Sequence, residues 1–289
     1  NSSDYLEKNQ VTSKFDIYTF QFSPIIEDGT LSFEDIEAER KRIMENKNEF
    51  FEEVLTSATF VHRSKSLPLV VEYSDQDLKV IRIANIKTIE IERDFVKEWT
   101  ENQPSCIVII YNNAEVQRIA IEQKIEAFTD TKVVSSILNK TFNYKLRHYN
   151  LAIKINKEYN AQDFWDIASQ YEKSIKKLRF EFNYPNLPRV TKNLNSALKN
   201  ASEIVNSTRS AIEFNAEEEK TLQNINANNK TINGLVKASA EGGTPIKMRV
   251  KGYKKYVETG NKAKTIEFDL DLSTKNIEEV KDILRELKE

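Results

Sequence analysis

Cysteine and histidine are scarce in this sequence, which has one Cys and two His among 289 residues. A single cysteine excludes an internal disulfide. His62 and His148 each stand apart from Cys106 and from any acid at metal-ligand spacing, so a zinc site of the Cys/His type is not expected. Cys106 begins the apolar run CIVII, which predicts a buried small side chain and not a nucleophile.

Long apolar runs are lacking as well. No stretch approaches the roughly 18 apolar residues that a membrane-spanning helix needs, and the polar segment 1–15 has no apolar core typical of a signal peptide. The sequence therefore predicts no membrane association and a cytoplasmic location. Hydrophobic residues make up 39% and charged residues 30%, with six Gly and six Pro. This is the composition of a globular protein, and the length suits two ordinary domains.

Sequence motifs of common enzymes are missing. There is no G-x-S-x-G and no G-x-G-x-x-G, and EGGTP (241–245) lacks the Lys-Ser/Thr that a phosphate-binding loop needs. Metal-dependent nucleases place carboxylates and a lysine on neighbouring strands, and the strand IAIEQK offers only Glu122 and Lys124. We therefore assign no catalytic residue, no metal ligand and no cofactor, and we keep a divergent metal-dependent nuclease as an alternative.

The net charge of −2 conceals an uneven distribution. Residues 1–137 contain 16 Lys and Arg against 25 Asp and Glu, a net charge of −9. Residues 138–289 contain 27 against 20, a net charge of +7, and within them 138–257 reach +10, from 21 against 11. An acidic half joined to a basic half suggests a polyanion partner for the second half, or contact between the two halves.

The pattern of the first half predicts an acidic α+β domain over residues 1–145 with a mostly antiparallel sheet. KFDIYTFQF (14–22) alternates as a strand, and four β-rich segments with a hairpin turn at YNNAE follow the first helix. That helix is predicted over 32–58, with Ser32 and Asp35 as a capping box, and a second helix over 129–146.

The second half, residues 146–289, predicts a basic α+β domain. Its order is a strand at 149–156, a helix, a strand at 175–185, a long helix at 187–214, a shorter helical stretch, a hairpin and a C-terminal helix. This order is a ferredoxin-like theme with a helical insertion. Because no Pro- or Gly-rich linker marks the boundary, the two domains are expected to pack together.

The predicted hairpin lies in PIKMRVKGYKKYVETGNKAKTIEFDLDL (245–272), which begins with alternating cations and ends with alternating acids. Pairing its two strands gives three cross-strand ion pairs and leaves apolar residues on the other face. The predicted pairs are Lys251 with Glu267, Arg249 with Asp269 and Lys247 with Asp271. Half of the basic run is thus predicted to be neutralised within the hairpin.

Toward the predicted tip the acids end, and Glu258 is the one acid nearby. A projecting hairpin with unpaired lysines and tyrosines can contact phosphates and stack on bases, and the strand 175–185 can extend the patch. The same charges can instead serve only to prevent edge-to-edge aggregation. The residues predicted to bind nucleic acid are Lys177, Arg179, Tyr253, Lys254, Lys255, Lys262 and Lys264.

Three hypotheses for the function follow. The first is a non-enzymatic nucleic-acid-binding accessory protein that contacts the DNA or RNA backbone through its basic half; this charge layout also suits a bacterial antiviral-defence or mobile-element system. The second is a protein-interaction module, either a homodimer or a subunit of a larger complex, with helix 32–58 or helix 187–214 as the contact surface. The third is the nuclease with Glu122 and Lys124.

Overall fold

A computed structural model describes residues 12–26, 32–183, 196–205, 207, 209–268, 270 and 272–286. The protein is an α+β protein with antiparallel sheets, which confirms the predicted class. Over these residues, no helix is long and apolar enough to cross a membrane.

The strands are β1 (Ser13–Pro24), β2 (Val61–His62), β3 (Lys65–Ser66), β4 (Leu69–Ser74), β5 (Leu78–Ala84), β6 (Lys87–Arg93), β7 (Val96–Asn102), β8 (Ser105–Asn112), β9 (Gln117–Glu122), β10 (Leu151–Lys157), β11 (Ile175–Asn183), β12 (Arg209–Asn215), β13 (Lys247–Val250), β14 (Val257–Glu258) and β15 (Thr265–Phe268). The helices are α1 (Phe33–Glu45), α2 (Lys47–Ser57), α3 (Thr131–Leu146), α4 (Gln162–Gln170), α5 (Ser196–Ile204), α6 (Lys230–Glu241) and α7 (Thr274–Glu286).

The larger sheet has the strand order β10-β1-β9-β8-β5-β4, and β15 also pairs with β1. Strand β1 is long enough to hold both partners on one edge, because its first residues pair with β15 and its later residues pair with β10. Residues 15–22 of β1 are all buried. The alternating segment KFDIYTFQF is therefore a strand, as predicted, but it lies inside the sheet with both faces covered.

Helices cover both faces of this sheet. On one face, α1, α2 and α3 pack over a core in which Phe51 lies between Phe20 and Phe142, with ring centroids 5.1 and 4.9 Å apart. On the other face, α7 packs its Ile277 and Leu284 against the sheet. The C-terminal helix thus belongs to the larger sheet, and the core is built from both ends of the chain.

The helix starts follow the predicted capping signals. The predicted helix over 32–58 is present as α1 and α2, which meet at Asn46. The Ser32 hydroxyl accepts a hydrogen bond from the Asp35 backbone N–H at 3.2 Å. The Asp130 carboxylate accepts one from a backbone N–H in the first turn of α3 at 2.8 Å. Both contacts satisfy a backbone donor that the helix itself leaves free.

The smaller sheet has the strand order β12-β11-β13-β14. One of its faces is apolar, where Leu178, Phe180 and Met248 pack against Phe164 of α4 and Val236 of α6. Since side chains alternate between the two faces of a strand, the residues between these apolar positions lie on the opposite face. That opposite face is charged.

The hairpin predicted for 245–272 is wrong. Strand β13 pairs with β11 and β14, whereas β15 pairs with β1 in the larger sheet. Glu267 therefore faces Lys14 and not Lys251. The other two predicted pairs depend on Asp269 and Asp271, which lie outside the described residues.

The chain crosses from the smaller sheet to the larger one between β14 and β15. The backbone N–H groups of Gly260 and Asn261 both donate to the Asp163 carboxylate, at 2.9 and 3.1 Å. The Lys264 carbonyl then accepts a hydrogen bond from the Ile17 N–H at 3.0 Å, which starts the pairing with β1. Alternation predicts which face of a strand is apolar, but it does not predict the strand's partner.

The helix predicted over 187–214 is wrong in its last part. Helix α5 covers Ser196–Ile204, but Arg209–Asn215 form β12 at the edge of the smaller sheet. RSAIEFN alternates, and its Ile212 and Phe214 pack on the apolar face. Residues 187–195 of the predicted helix lie outside the described residues. Residues 217–229 precede α6 without forming a helix.

The division into domains 1–145 and 146–289 stays a prediction. The strand predicted at 149–156 is β10, which pairs with β1. The ferredoxin-like order requires this strand, β15 and α7 to join β11 and β13, whereas the structure places all three on the larger sheet. Strand β1 pairs with β10 and β15, which come from distant parts of the chain. Local sequence patterns do not reveal such partners.

Cys106 is buried, as predicted, and gives a direct test of the fold. Its side chain is 1% exposed, and burial raises the pKa of its thiol to about 12, with the Glu122 charge acting in the same direction. Because the thiolate is the reactive form, we expect the native protein to resist a thiol reagent at about pH 8 and the unfolded protein to react fully. Rapid labelling of the native protein would contradict the buried position.

Candidate nucleic-acid interface

The charged face of the smaller sheet is built in rows across its strands. On β11, Lys177 and Arg179 alternate with the apolar residues, and on β13 Arg249 faces Lys177 while Lys247 faces Arg179. On β12, Glu213 faces Arg179 from the other side. We call this surface, together with residues 254–256 of the loop that follows β13, the basic face. It consists of Lys177, Arg179, Glu181, Arg209, Glu213, Lys247, Arg249, Lys254, Lys255, Tyr256 and Glu258.

Glu213 bridges two of the predicted binding residues. Its carboxylate lies 2.9 Å from Lys177 Nζ and 3.3 Å from an Arg179 guanidinium nitrogen. The hydrogen bond from Lys177, with further ones from Asn215 and Arg179, lowers the pKa of Glu213 to about 2. Glu213 is therefore ionised throughout the neutral pH range, and it neutralises part of the charge of Lys177 and Arg179.

Glu181 lies in the next row and also has several cations around it. Its carboxylate is 2.9 Å from Arg179 Nε and pairs with Arg209. Burial raises the pKa of Glu181, but the hydrogen bonds from Arg209 and Arg179 outweigh this effect, so the pKa is lowered overall. Lys247 adds to the lowering and lies 3.9 Å from Glu258. This end of the basic face is a network of paired charges.

The cations at the loop end have no carboxylate partner among the described residues. The Arg249 guanidinium lies 5.6 Å from the centroid of the Tyr256 ring and donates a hydrogen bond to the Lys254 carbonyl at 2.7 Å. These two contacts hold the loop against the sheet. Lys254 and Lys255 are exposed, and Tyr256 is half-exposed. The loop end of the basic face therefore presents three cations and the ring of Tyr256 to solvent.

Counted together, the basic face holds seven Lys and Arg against three Glu, a surplus of four positive charges. The three cations without a carboxylate partner among the described residues are Arg249, Lys254 and Lys255, and they lie at the loop end. The paired ones lie around Glu181 and Glu213. The surface thus has a charge-balanced part that fixes side-chain positions and a cationic part that is open to an anion.

Three of the seven predicted residues lie away from the basic face. Lys262 donates to Asp166 of α4 at 2.6 Å, and Lys264 lies in the crossover beside β1. Tyr253 packs against Tyr171 at the end of α4, with ring centroids 5.4 Å apart. The structure brings together the other four, which are Lys177, Arg179, Lys254 and Lys255.

No protein-family model matches this sequence. No curated protein matches it significantly either. The function is therefore inferred from the geometry of the basic face and from the contacts of the residues that alternative functions would need.

Sequence reasoning missed three cations of the basic face and its aromatic ring. The predicted hairpin places Lys247 and Arg249 in ion pairs, and the predicted helix over 187–214 includes Arg209, which the structure places in β12. The alternation of KMRV does put Lys247 and Arg249 on one face, but the neighbouring strand decides what that face contains. The sequence shows Tyr256 as an aromatic residue near the lysines, but its contact with Arg249 depends on the turn after β13.

Glu122, the carboxylate of the nuclease alternative, has structural partners. It is 7% exposed and accepts hydrogen bonds from the Ser13 hydroxyl at 2.7 Å and the Ile107 N–H at 2.9 Å. These contacts join β9 to β1 and β8. Within the described ranges, no group of three or more His, Cys, Asp or Glu is placed to hold a metal ion.

Proposed function

We propose that the protein binds nucleic acid without catalysing a reaction on it, and that phosphates contact the loop end of the basic face. The observation that supports this proposal is the surplus of four positive charges on a sheet face, with Arg249, Lys254 and Lys255 exposed beside the ring of Tyr256. Such a protein suits an accessory role in a bacterial defence or mobile-element system.

The expected contacts are of two kinds. Lys254, Lys255 and Arg249 neutralise phosphates and release condensed counterions, which gives affinity without sequence specificity. Tyr256 offers a ring on which an unpaired base can stack, and the Arg249 guanidinium beside it supports such stacking. A single strand can use both kinds of contact, whereas the bases of a duplex are not accessible to the ring.

The carboxylates of the basic face are expected to position its cations and to limit affinity. Glu213 holds the side chains of Lys177 and Arg179 in place through hydrogen bonds. While it does so, both cations are partly neutralised, so a phosphate gains less from them than from Lys254 or Lys255. Removing the carboxylate charge should therefore increase affinity.

Replacing Glu213 by glutamine is expected to tighten binding about 3- to 10-fold. The log–log slope of affinity against salt concentration should become steeper, by the equivalent of about one to two additional phosphate contacts. The cause is the release of Lys177 and Arg179 for phosphate contact. The measurement is fluorescence anisotropy with labelled single- and double-stranded DNA and RNA of the same sequence.

The matched control is Glu39→Gln, which removes the carboxylate of the Glu39–Arg42 ion pair on α1. It makes the same change in net charge outside the basic face. If Glu213→Gln leaves affinity unchanged, or raises it no more than Glu39→Gln does, phosphates do not contact this part of the basic face.

A further inference from the structure

The hairpin of β6 and β7 stands out because both of its faces are exposed to solvent. Phe95 at its turn is 97% exposed, and Trp99 and Val96 are 68% and 59% exposed. We call residues 87–102 the arm. An isolated two-stranded hairpin is at best marginally stable in water. Large exposed aromatic side chains on such an element are typical of a surface that another molecule covers.

The turn of the arm strengthens this interpretation. Asp94 and Phe95 both have positive φ, at 52° and 67°. Hairpin turns of this kind favour Asn and Gly, and a bulky residue at positive φ is strained. An exposed phenylalanine at this position contributes nothing to the core of its own chain. Its ring is available for contact with another molecule.

The charge of the arm limits the kind of partner. Residues 87–102 contain five Asp and Glu against three Lys and Arg. Cross-strand pairing puts Thr88 with Glu101, Glu90 with Trp99 and Glu92 with Lys97 on one face. That face is therefore acidic around an exposed indole. An acidic surface repels nucleic acid, so the arm is suited to a protein surface that is basic and offers apolar contacts.

Helix α3 of the same protein has these properties. It contains Lys132, Lys140 and Lys145 and no acidic residue, and none of these lysines has an ion-pair partner among the described residues. Its exposed stripe ends at Tyr144, which is 80% exposed. Beyond it lies an open depression of about 530 Å³, lined by Val54, Ser57, Tyr144, Lys145, Arg147, His148 and Tyr149.

The dimensions and positions of the arm and α3 fit a reciprocal contact between two copies. The seven-residue strands of the arm extend about 23 Å, and the 16 residues of α3 extend about 24 Å. The arm starts beside the segment that precedes its own α3, where Lys87 Nζ donates to the Glu126 carbonyl at 2.6 Å. Within one chain, Trp99 of the arm and Tyr144 of α3 are both exposed.

We propose that a second copy of this chain covers the arm, with the acidic face of each arm lying along the basic stripe of the partner's α3. A two-fold dimer makes this contact twice, since the same patch occurs on both subunits. The depression beside Tyr144 then offers apolar walls for an exposed ring of the arm. This interaction surface is separate from the basic face and does not depend on nucleic-acid binding.

The test is the solution mass of the full chain, measured by sedimentation equilibrium or light scattering from about 1 to 200 µM, where an interface of this modest size is expected to dissociate. The expected mass at high concentration is twice 33.6 kDa, and it should fall as salt is raised. A monomer over the whole range would overturn the proposal.

Charge reversal identifies the surfaces. The arm variant Glu92→Lys/Glu101→Lys and the helix variant Lys140→Glu/Lys145→Glu are each expected to be monomeric, because like charges then face each other. Mixing the two variants should restore the dimer, because both contacts again join opposite charges. The control Glu34→Lys/Glu37→Lys on exposed α1 should stay dimeric. Circular dichroism checks that each variant is folded.

The remaining outcomes all overturn the proposal. If the wild type is a dimer but both variants remain dimeric, another surface forms the interface. If both variants are monomeric but their mixture is too, the arm does not meet α3. If the α1 control is also monomeric, the dimer depends on overall charge and not on the arm.

Discussion

Replacing Glu158 by glutamine is expected to lower the free energy of unfolding by about 3–5 kcal/mol, because the charge of Arg118 then stays buried without its partner. Arg118 Nε and Glu158 Oε1 are 2.9 Å apart, and the two side chains are 3% and 0% exposed. The Thr19 hydroxyl donates to the same carboxylate oxygen at 2.5 Å. Arg118 also donates to the Leu284 carbonyl of α7 at 2.7 Å. The pair thus joins β1 and β9 to the second half of the chain.

Urea unfolding followed by circular dichroism measures this loss, and Glu45→Gln is the matched control. Glu45 lies 3.8 Å from Lys41 on the exposed side of α1, where an ion pair contributes about 0–1 kcal/mol. Equal losses in the two variants would contradict a structural role for the buried pair. The double variant Arg118→Met/Glu158→Gln is expected to lose less than the sum of its single variants, because no unpaired charge is left in the core.

The largest expected effect on binding comes from removing the three cations at the loop end of the basic face together with Lys247, which pairs with Glu258. The change is the fourfold variant Lys247→Gln/Arg249→Gln/Lys254→Gln/Lys255→Gln. It is expected to weaken nucleic-acid binding by about 100-fold at low salt and to remove most of the salt dependence, since each lost phosphate contact lowers the slope by about one. Anisotropy at fixed low salt, with the probes used for Glu213→Gln, measures the loss.

A second fourfold variant controls for net charge. Lys41, Lys220, Lys262 and Lys264 are changed to glutamine, which removes the same number of charges outside the basic face. This control also tests the sequence prediction that Lys262 and Lys264 bind nucleic acid. We expect it to bind within about threefold of the wild type, because only screened long-range attraction is lost. Equal losses in the two variants would mean that binding depends on overall charge and not on the basic face.

Local signals in the sequence were sufficient for most individual elements. The caps at Ser32 and Asp130 mark the helix starts, because each side chain satisfies a backbone donor within its own segment. The alternation in KFDIYTFQF marks β1, and the position of Cys106 in an apolar strand marks it as buried. These features depend on residues close together in sequence, so the sequence alone contains the information.

Pairing between distant segments could not be read in the same way. The cations and acids of 245–272 alternate as two partner strands would, yet β15 pairs with β1. Any antiparallel edge with an apolar face satisfies the same alternation. The buried pair of Arg118 and Glu158 is separated by 40 residues, and nothing in either segment indicates the other.

The candidate site likewise has local features that the sequence predicts and distant contacts that it does not. Lys177 and Arg179 could be predicted to share a face, because they alternate with Leu178 and Phe180 on β11. Their partial neutralisation could not be predicted, because Glu213 lies in a segment whose spacing also fits a helix. The contact of Arg249 with Tyr256 likewise depends on a turn that the predicted hairpin placed elsewhere.

The salt dependence of nucleic-acid binding by the wild-type protein tests the central proposal most directly. Contact of the surplus of four positive charges with four phosphates predicts a log–log slope of about −3.6 for duplex DNA and about −2.8 for single strands, from about −0.9 and −0.7 per phosphate. A titration with labelled single- and double-stranded DNA and RNA gives these slopes. An absence of binding at low salt, or binding that does not weaken as salt is raised, would contradict the proposal and leave the charges of the basic face a structural role within the sheet.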